Sequence, residues 1–310
     1  MVNYYISEGG ELRHLSAPQN RCWISLISPS EEELDQISAK YQLDMDVLKA
    51  ALDLDERSRV DIDDNFSMVL VNVPNVAEEG RELYDTIPLS IIVTGDVVIT
   101  VLSKSSPIIE EFSSGRVKDF KTFMRSRFIL QILYNTAQLY LKYLHNVDRK
   151  SDMLEEQLLR SQHNKELTEL LKLQKSLVYF TTALRSNETV LEKISRLDLI
   201  RKYEDDQELL EDVIVENKQA IEMANIYQGI STNMMDAFAS IISNNLNIVM
   251  KIQATITIVL SIPNMIYSAY GMNVDIPAAH SPNMFSLIIW VSLALSGVTT
   301  LILKKFKMFE

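Results

Sequence analysis

The stretch SIPNMIYSAYGMNVDIP, residues 261–277, starts inside a strongly apolar run, yet it carries Ser, Asn, Tyr and Pro. No charge appears in it until Asp275. The run it belongs to, Ile252 to Tyr270, holds no charged residue, and neither does Met284 to Leu303. At about 1.5 Å per residue, each is long enough to cross a hydrocarbon core of about 30 Å. Two buried helices of a soluble protein are the competing reading. Two such runs separated by one short loop at the end of the chain favour a membrane hairpin. Lys251 precedes the first run, Lys304, Lys305 and Lys307 follow the second, and residues 271–283 hold no Lys or Arg. The positive-inside rule then puts both termini in the cytoplasm and the loop outside, in a multi-pass protein of the cell membrane.

The remaining 250 or so residues must fold in water. The chain of 310 residues has a formal net charge of −12 and only 8 Gly and 8 Pro, a composition too apolar and too poor in breakers for disorder. The acidic balance disfavours nucleic acid, whose phosphates need a basic face. Cys22 is the single cysteine, which excludes an intrachain disulfide and a thiolate metal cluster. The opening MVNYYISEGGELRHL lacks a basic start followed by an apolar core, so no secretory signal is expected.

The first 122 residues read as an α/β domain. β-rich runs lie at 3–7, 22–27, 66–73, 86–93 and 97–102, the last two flanking Gly95-Asp96, which is hairpin-turn chemistry. Ser28-Pro29-Ser30 before Glu31, Glu32 and Glu33 predicts a capped helix start, and Asp44 to Leu52 a second short helix. From Phe123 there is no Pro until Pro263 and one Gly, Gly229, so long helices are expected. Their predicted limits are 123–160 and 165–197, with a turn near His163-Asn164. A third starts near Asp205 and shows no stop before Tyr270. The organisation expected is long antiparallel helices over 123–204 and a stalk helix over 205–250. Spans then follow at 251–270 and 284–303, joined by an outer loop at 271–283, with a basic tail at 304–310. In class this is an α+β domain with long stalk helices and a C-terminal two-helix membrane hairpin.

At 100° per residue, Met250, Gln253, Thr257, Ser261, Asn264 and Ser268 fall within an arc of about 80° on the first span. Polar groups at membrane depth face protein or water. Periodicity alone leaves two readings open: glue between helices, or the lining of a wet path where several copies meet. Asn247 and Asn244 carry polar groups on towards the cytoplasmic mouth. Asn273 stands past the outer end, beside a glycine that permits a tight turn, Gly271.

Tyr270-Gly271-Met272-Asn273 between two C-terminal spans resembles the signature of the CorA family of magnesium channels. Asp275, Pro277 and the mid-span Pro263 stand where that family carries an acid and prolines, and residues 52–74 resemble its N-terminal stretch. The resemblance implies a homopentamer with the first span of each subunit around a central pore. Gly271, Met272, Asn273 and Asp275 would form the ion entry. A ring of Asn273 carboxamides can accept hydrogen bonds from the water shell of Mg2+ without stripping it, and Asp275 can concentrate cations nearby. Asn247, Gln253, Thr257, Ser261, Asn264 and Ser268 would line the pore, with Met250 an apolar constriction. A divalent ion entering down an inside-negative potential gains about 4.6 kcal/mol per 100 mV. No fuel site is needed, and no phosphate-binding or dinucleotide loop is present.

Glu204 to Asp212 holds six acids in nine residues. A solvated helix start is one reading. The other, which the family implies, is a cytoplasmic Mg2+ sensor built from Asp212 with Glu208 and Glu211, closing the channel as the ion rises. The stretch 61–66 lacks the Gly of a calcium loop, and His14, His145, His163 and His280 show no metal-ligand spacing. No nucleophile–base set and no organic cofactor are expected, so the chain reads as a transporter rather than an enzyme. Two alternatives stand beside Mg2+ transport. One is Zn2+, Co2+ or Ni2+ on the same scaffold; the other is a membrane-anchored regulatory protein that conducts nothing.

Overall fold

Gly95, at φ 51°, and Asp96 turn the chain between β6 (Tyr84–Thr94) and β7 (Val97–Leu102), where the sequence expects a hairpin. The computed structural model describes residues 1–77, 82–160, 164–196, 204–273, 283–306 and 308. Two units are recognised, Met1–Met234 and Met235–Glu310.

The first unit carries a seven-stranded sheet. Its other strands are β1 (Val2–Glu8), β2 (Glu11–Leu15), β3 (Trp23–Ile27), β4 (Arg59–Ile62) and β5 (Phe66–Val76), and the order is β2-β1-β3-β7-β6-β5-β4. Five of the six pairings are antiparallel; β3–β7 is parallel. Strand residues alternate between two apolar cores, as the two-residue period of a strand requires. Trp23, Val69, Ile91 and Val98 enter one core, and Ile24, Met68, Leu70, Ile92 and Ile99 the other. Helix α1 (Glu31–Tyr41) and α2 (Met45–Lys49), followed by a 3-10 turn at Ala50–Leu52, cover the second core with Leu34, Ile37 and Leu48. The Ser30 side chain accepts from Glu33 N–H while the Glu33 carboxylate accepts from Ser30 N–H, the reciprocal cap that the sequence predicts here.

On the first core lie α3 (Pro107–Ser113), α4 (Arg125–Arg160), α5 (Asn164–Ile194) and the start of α6 (Glu204–Tyr270). The sequence reading lacks α3, β2 and β4. The expected turn residue His163 and helix end Leu197 lie outside the described residues, as do Asp275, Pro277, His280 and Lys307.

Asn187 is one of the side chains that tie α5 to the sheet. β4 begins at Arg59 opposite Leu70, so two residues further along β5 the backbone of Asn72, paired with β6 on one side, has no strand on the β4 side. Asn187 fills the gap with its carboxamide. Its Oδ1 accepts from Asn72 N–H at 3.0 Å and its Nδ2 donates to the Asn72 carbonyl at 2.8 Å. The Ser58 hydroxyl donates to the same Oδ1 at 2.8 Å, and the buried Tyr140 hydroxyl to the Asn72 carbonyl at 2.9 Å. A side-chain amide thus stands in for a peptide group, which satisfies an edge that burial would otherwise leave unpaired.

The second unit contains the last part of α6 and α7 (Met284–Lys305). Both helices are long and apolar enough to cross a membrane.

Candidate functional site

The polar stripe lies on α6. Asn247, Met250, Gln253, Thr257, Ser261, Asn264 and Ser268 are all exposed within the chain. From Asn247 to Ser268 the stripe rises about 32 Å, the thickness of a bilayer core. The residues of the first span that lose exposure are others: Thr255, fully buried, with Val259, Ile262, Pro263 and Ile266 partly so. At about 100° per residue these centre about 170° from the stripe. They form the side turned to the second helix. The Thr255 hydroxyl lies 3.4 Å from the Met308 carbonyl, and the Ser296 hydroxyl donates to the Val259 carbonyl at 3.5 Å. That carbonyl is the one whose intrahelical donor Pro263 removes, four residues on. The hairpin is therefore closed on one side of the span, and the stripe occupies the opposite side with no partner from its own chain among the described residues.

Hydroxyl orientation gives the stripe a chemical sign. Thr257 Oγ1 donates to the Gln253 carbonyl at 2.9 Å, and Ser261 Oγ to the Ile258 carbonyl at 2.8 Å. With their protons directed into their own helix, these hydroxyls present lone pairs outward. The carboxamide oxygens of Gln253 and Asn264 add further acceptors, and no acid or base stands among the stripe residues. Such a surface suits a cation that keeps its water, because the water supplies the donors.

Helix α6 ends at Tyr270. Gly271 N–H donates to the Tyr267 carbonyl at 2.9 Å and, more weakly, to that of Ser268 at 3.2 Å. The sequence reading assigns Gly271 a tight turn, but its φ is not in the left-handed region. Its smallness matters for a different reason. A Cβ there would stand 3.3 Å from the Tyr267 carbonyl oxygen and 3.5 Å from that of Ser268. Met272 and Asn273 follow and are exposed. Asp275 falls outside the described residues, so the expected ion entry is described through Asn273 only.

The acidic run at the start of α6 separates into two kinds of residue. Glu208, Glu211 and Asp212, the expected sensor acids, are exposed. Asp206 is buried at 4% exposure and accepts a 2.6 Å hydrogen bond from Ser126, with Arg127 3.8 Å away. Sequence reasoning passed over Asp206; the signal available was its place in the first turn, facing the apolar side with Leu210 and Val213. Among the described residues no group of three or more His, Cys, Asp or Glu is placed to hold a metal ion. A site using Asp212 would therefore have to draw ligands from another chain or from residues not described. The 61–66 stretch covers the end of β4, the turn at 63–65 and the first residue of β5. His14 contacts the Asn3 side chain at 3.4 Å, and His145 Nδ1 contacts the Leu141 carbonyl at 2.7 Å.

A family model described as CorA-like Mg2+ transporter protein matches residues 18–305. The cobalt/magnesium transport protein CorA of Methanocaldococcus jannaschii is 28% identical over 290 residues, 90% of this chain and 87% of that protein. The protein of the same description from Thermotoga maritima is 22% identical over 235 residues, 74% of this chain and 66% of that one. The complete structure of the CorA magnesium transporter from Methanocaldococcus jannaschii superposes with a TM-score of 0.80 at 25% identity. That match covers 99% of this chain and 96% of the other.

Proposed function

The chain belongs to the CorA-like Mg2+ transporter family, and from that premise we propose that it is a homopentameric channel for hydrated divalent cations, Mg2+ first. The observation that carries this reading is the division of the first span into two sides. One closes the hairpin; the other carries uncharged carboxamides and hydroxyls, rich in oxygen acceptors, and has no partner within the chain among the described residues. Polar groups at membrane depth need protein or water. Copies arranged with these sides inward supply both, and a wet axis results.

In this reading Asn273, with Gly271, Met272 and Asp275, forms the outer mouth. The carboxamides accept hydrogen bonds from an ion's water shell, binding it weakly enough to let it go. Ser268, Asn264, Ser261, Thr257, Gln253 and Asn247 continue the acceptor surface inward. Met250 supplies a ring that excludes water when narrow. Both termini are cytoplasmic and the membrane potential drives entry. Glu208, Glu211 and Asp212 serve as acids that a divalent ion bridges between subunits, holding the stalks together as cytoplasmic Mg2+ rises.

Ion flux into liposomes holding the purified protein tests the reading. Mg2+ entry should follow an inside-negative potential without a proton gradient, and Asn273→Ala should abolish it in an intact oligomer. Flux unchanged by Asn273→Ala removes the assigned mouth. Flux that requires protons favours a proton-coupled transporter on the same scaffold.

A further inference from the structure

Asn273, the residue assigned to the mouth, stands three residues beyond the last helical residue, Tyr270, so something must hold that end in place. Ser292, on α7, is fully buried, and its hydroxyl donates to the Ile289 carbonyl at 2.8 Å. Its oxygen lies 2.9 Å from the hydroxyl of Tyr267 on α6. A serine has one proton, and it is committed to Ile289; the phenol therefore donates to the serine. Tyr267 also accepts, through its carbonyl, the N–H of Gly271 at 2.9 Å. Tyr267 thus joins α7 on one side to the first residue of the Gly271-Met272-Asn273 segment on the other. A side chain at Gly271 would crowd that same carbonyl, since a Cβ there would stand 3.3 Å from its oxygen.

We propose that the Tyr267–Ser292 hydrogen bond is the positioning device of the outer mouth: it fixes the last turn of the first span against the second, and through Gly271 it sets where the Asn273 carboxamide stands. Tyr267 touches no ion; it acts through Gly271. The inference rests on Asn273 forming the mouth. Hydrogen bonds depend steeply on distance and angle, so a small rotation of the last turn weakens the grip of every carboxamide in the ring on an ion's water. Asn273 alone, at the end of a helix with nothing to brace it, would have no fixed orientation.

The test uses the full-length protein in liposomes with an internal Mg2+ indicator, comparing half-saturating external Mg2+ at fixed potential. Tyr267→Phe and Ser292→Ala should each raise it about threefold or more, the size expected for one intramembrane hydrogen bond. The double variant should match the single ones, since both remove the same bond. Ser292→Thr, which keeps the hydroxyl, should restore the parental value; a general packing defect would be made worse by the added methyl. Half-saturation unchanged in Tyr267→Phe, or effects that add in the double variant, overturns the proposal. Asn273→Ala in the same series separates the two readings. If it abolishes flux while Tyr267→Phe changes nothing, the positioning role alone fails. If it conducts like the parent, the mouth and this device fall together.

Discussion

The hydroxyl of Ser126, in the first turn of α4, donates a 2.6 Å hydrogen bond to the carboxylate of Asp206, in the first turn of α6. Asp206 is buried and Asp212, six residues on, is exposed. Their substitutions should therefore part cleanly. Asp206→Ala leaves Ser126 without its acceptor and should cost about 2–3 kcal/mol of stability, read as a lowered midpoint of thermal unfolding in detergent. Asp212→Lys should leave that midpoint within the range of a surface change, about 0.5 kcal/mol. If the sensor reading holds, it should instead reduce the protection from protease that added Mg2+ gives; protection equal to the parent's removes Asp212 as a ligand.

Glu169, on α5, bonds Lys172 at 2.8 Å and lies 3.5 Å from Lys150 of α4. The hydrogen bond from Lys172 lowers the pKa of this carboxylate below its ordinary value, with a smaller contribution from Lys150. The folded state therefore binds this proton less readily than the unfolded chain. The stabilisation is present above the unfolded value of about 4.3 and lost as pH falls through the folded one. Glu169→Gln should unfold more easily than the parent at pH 7, and the difference should close below about pH 4. A difference that persists undiminished at pH 3 would show that packing, not charge, accounts for it.

Asn187→Leu keeps the branched heavy-atom skeleton but removes a donor and an acceptor from the Asn72 backbone and an acceptor from Ser58. About 3 kcal/mol or more should be lost, because buried backbone groups are orphaned. Asn187→Asp, unable to donate to the Asn72 carbonyl, should also destabilise. Equal stability of Asn187→Leu and the parent in chemical denaturation would mean that water fills the gap.

The Ser296 hydroxyl is the donor that meets the Val259 carbonyl freed by Pro263, at a long 3.5 Å. Ser296→Ala should cost about 0.6 kcal/mol, the scale of an intramembrane hydrogen bond. In a Pro263→Ala background, where the helix supplies its own N–H, the same substitution should cost nothing. A cost that is equal in both backgrounds breaks the link between the two residues.

What the sequence revealed follows from how local each signal is. The Ser30 cap, the Gly95-Asp96 hairpin and the two uncharged spans are written in a few neighbouring residues, and each predicted feature is present. β2, with its polar sequence ELRHL, and β4, RVDI, are edge strands; only their neighbours make them strands. α3 is seven residues long, too short for a helical period to emerge, although Ser106 and Pro107 supply a cap and a first position. The parallel β3–β7 pairing and the Asn187 clamp join residues 75 or more apart, and nothing local foretells them. At the candidate site the stripe was legible as periodicity, since one helix face needs no partner to be read. The pairing of Tyr267 with Ser292, the role of Ser296 and the burial of Asp206 were not, because each depends on a second helix.

Opposed sides on the first span bear on how the protein is made. A freshly inserted single copy would hold its carboxamides and hydroxyls against acyl chains, where each uncovered polar group costs several kcal/mol. Its hairpin cannot hide them, because the second helix packs on the opposite side of the span. In the channel reading a solitary chain is a strained intermediate of biogenesis, and assembly relieves it by giving these groups protein and water.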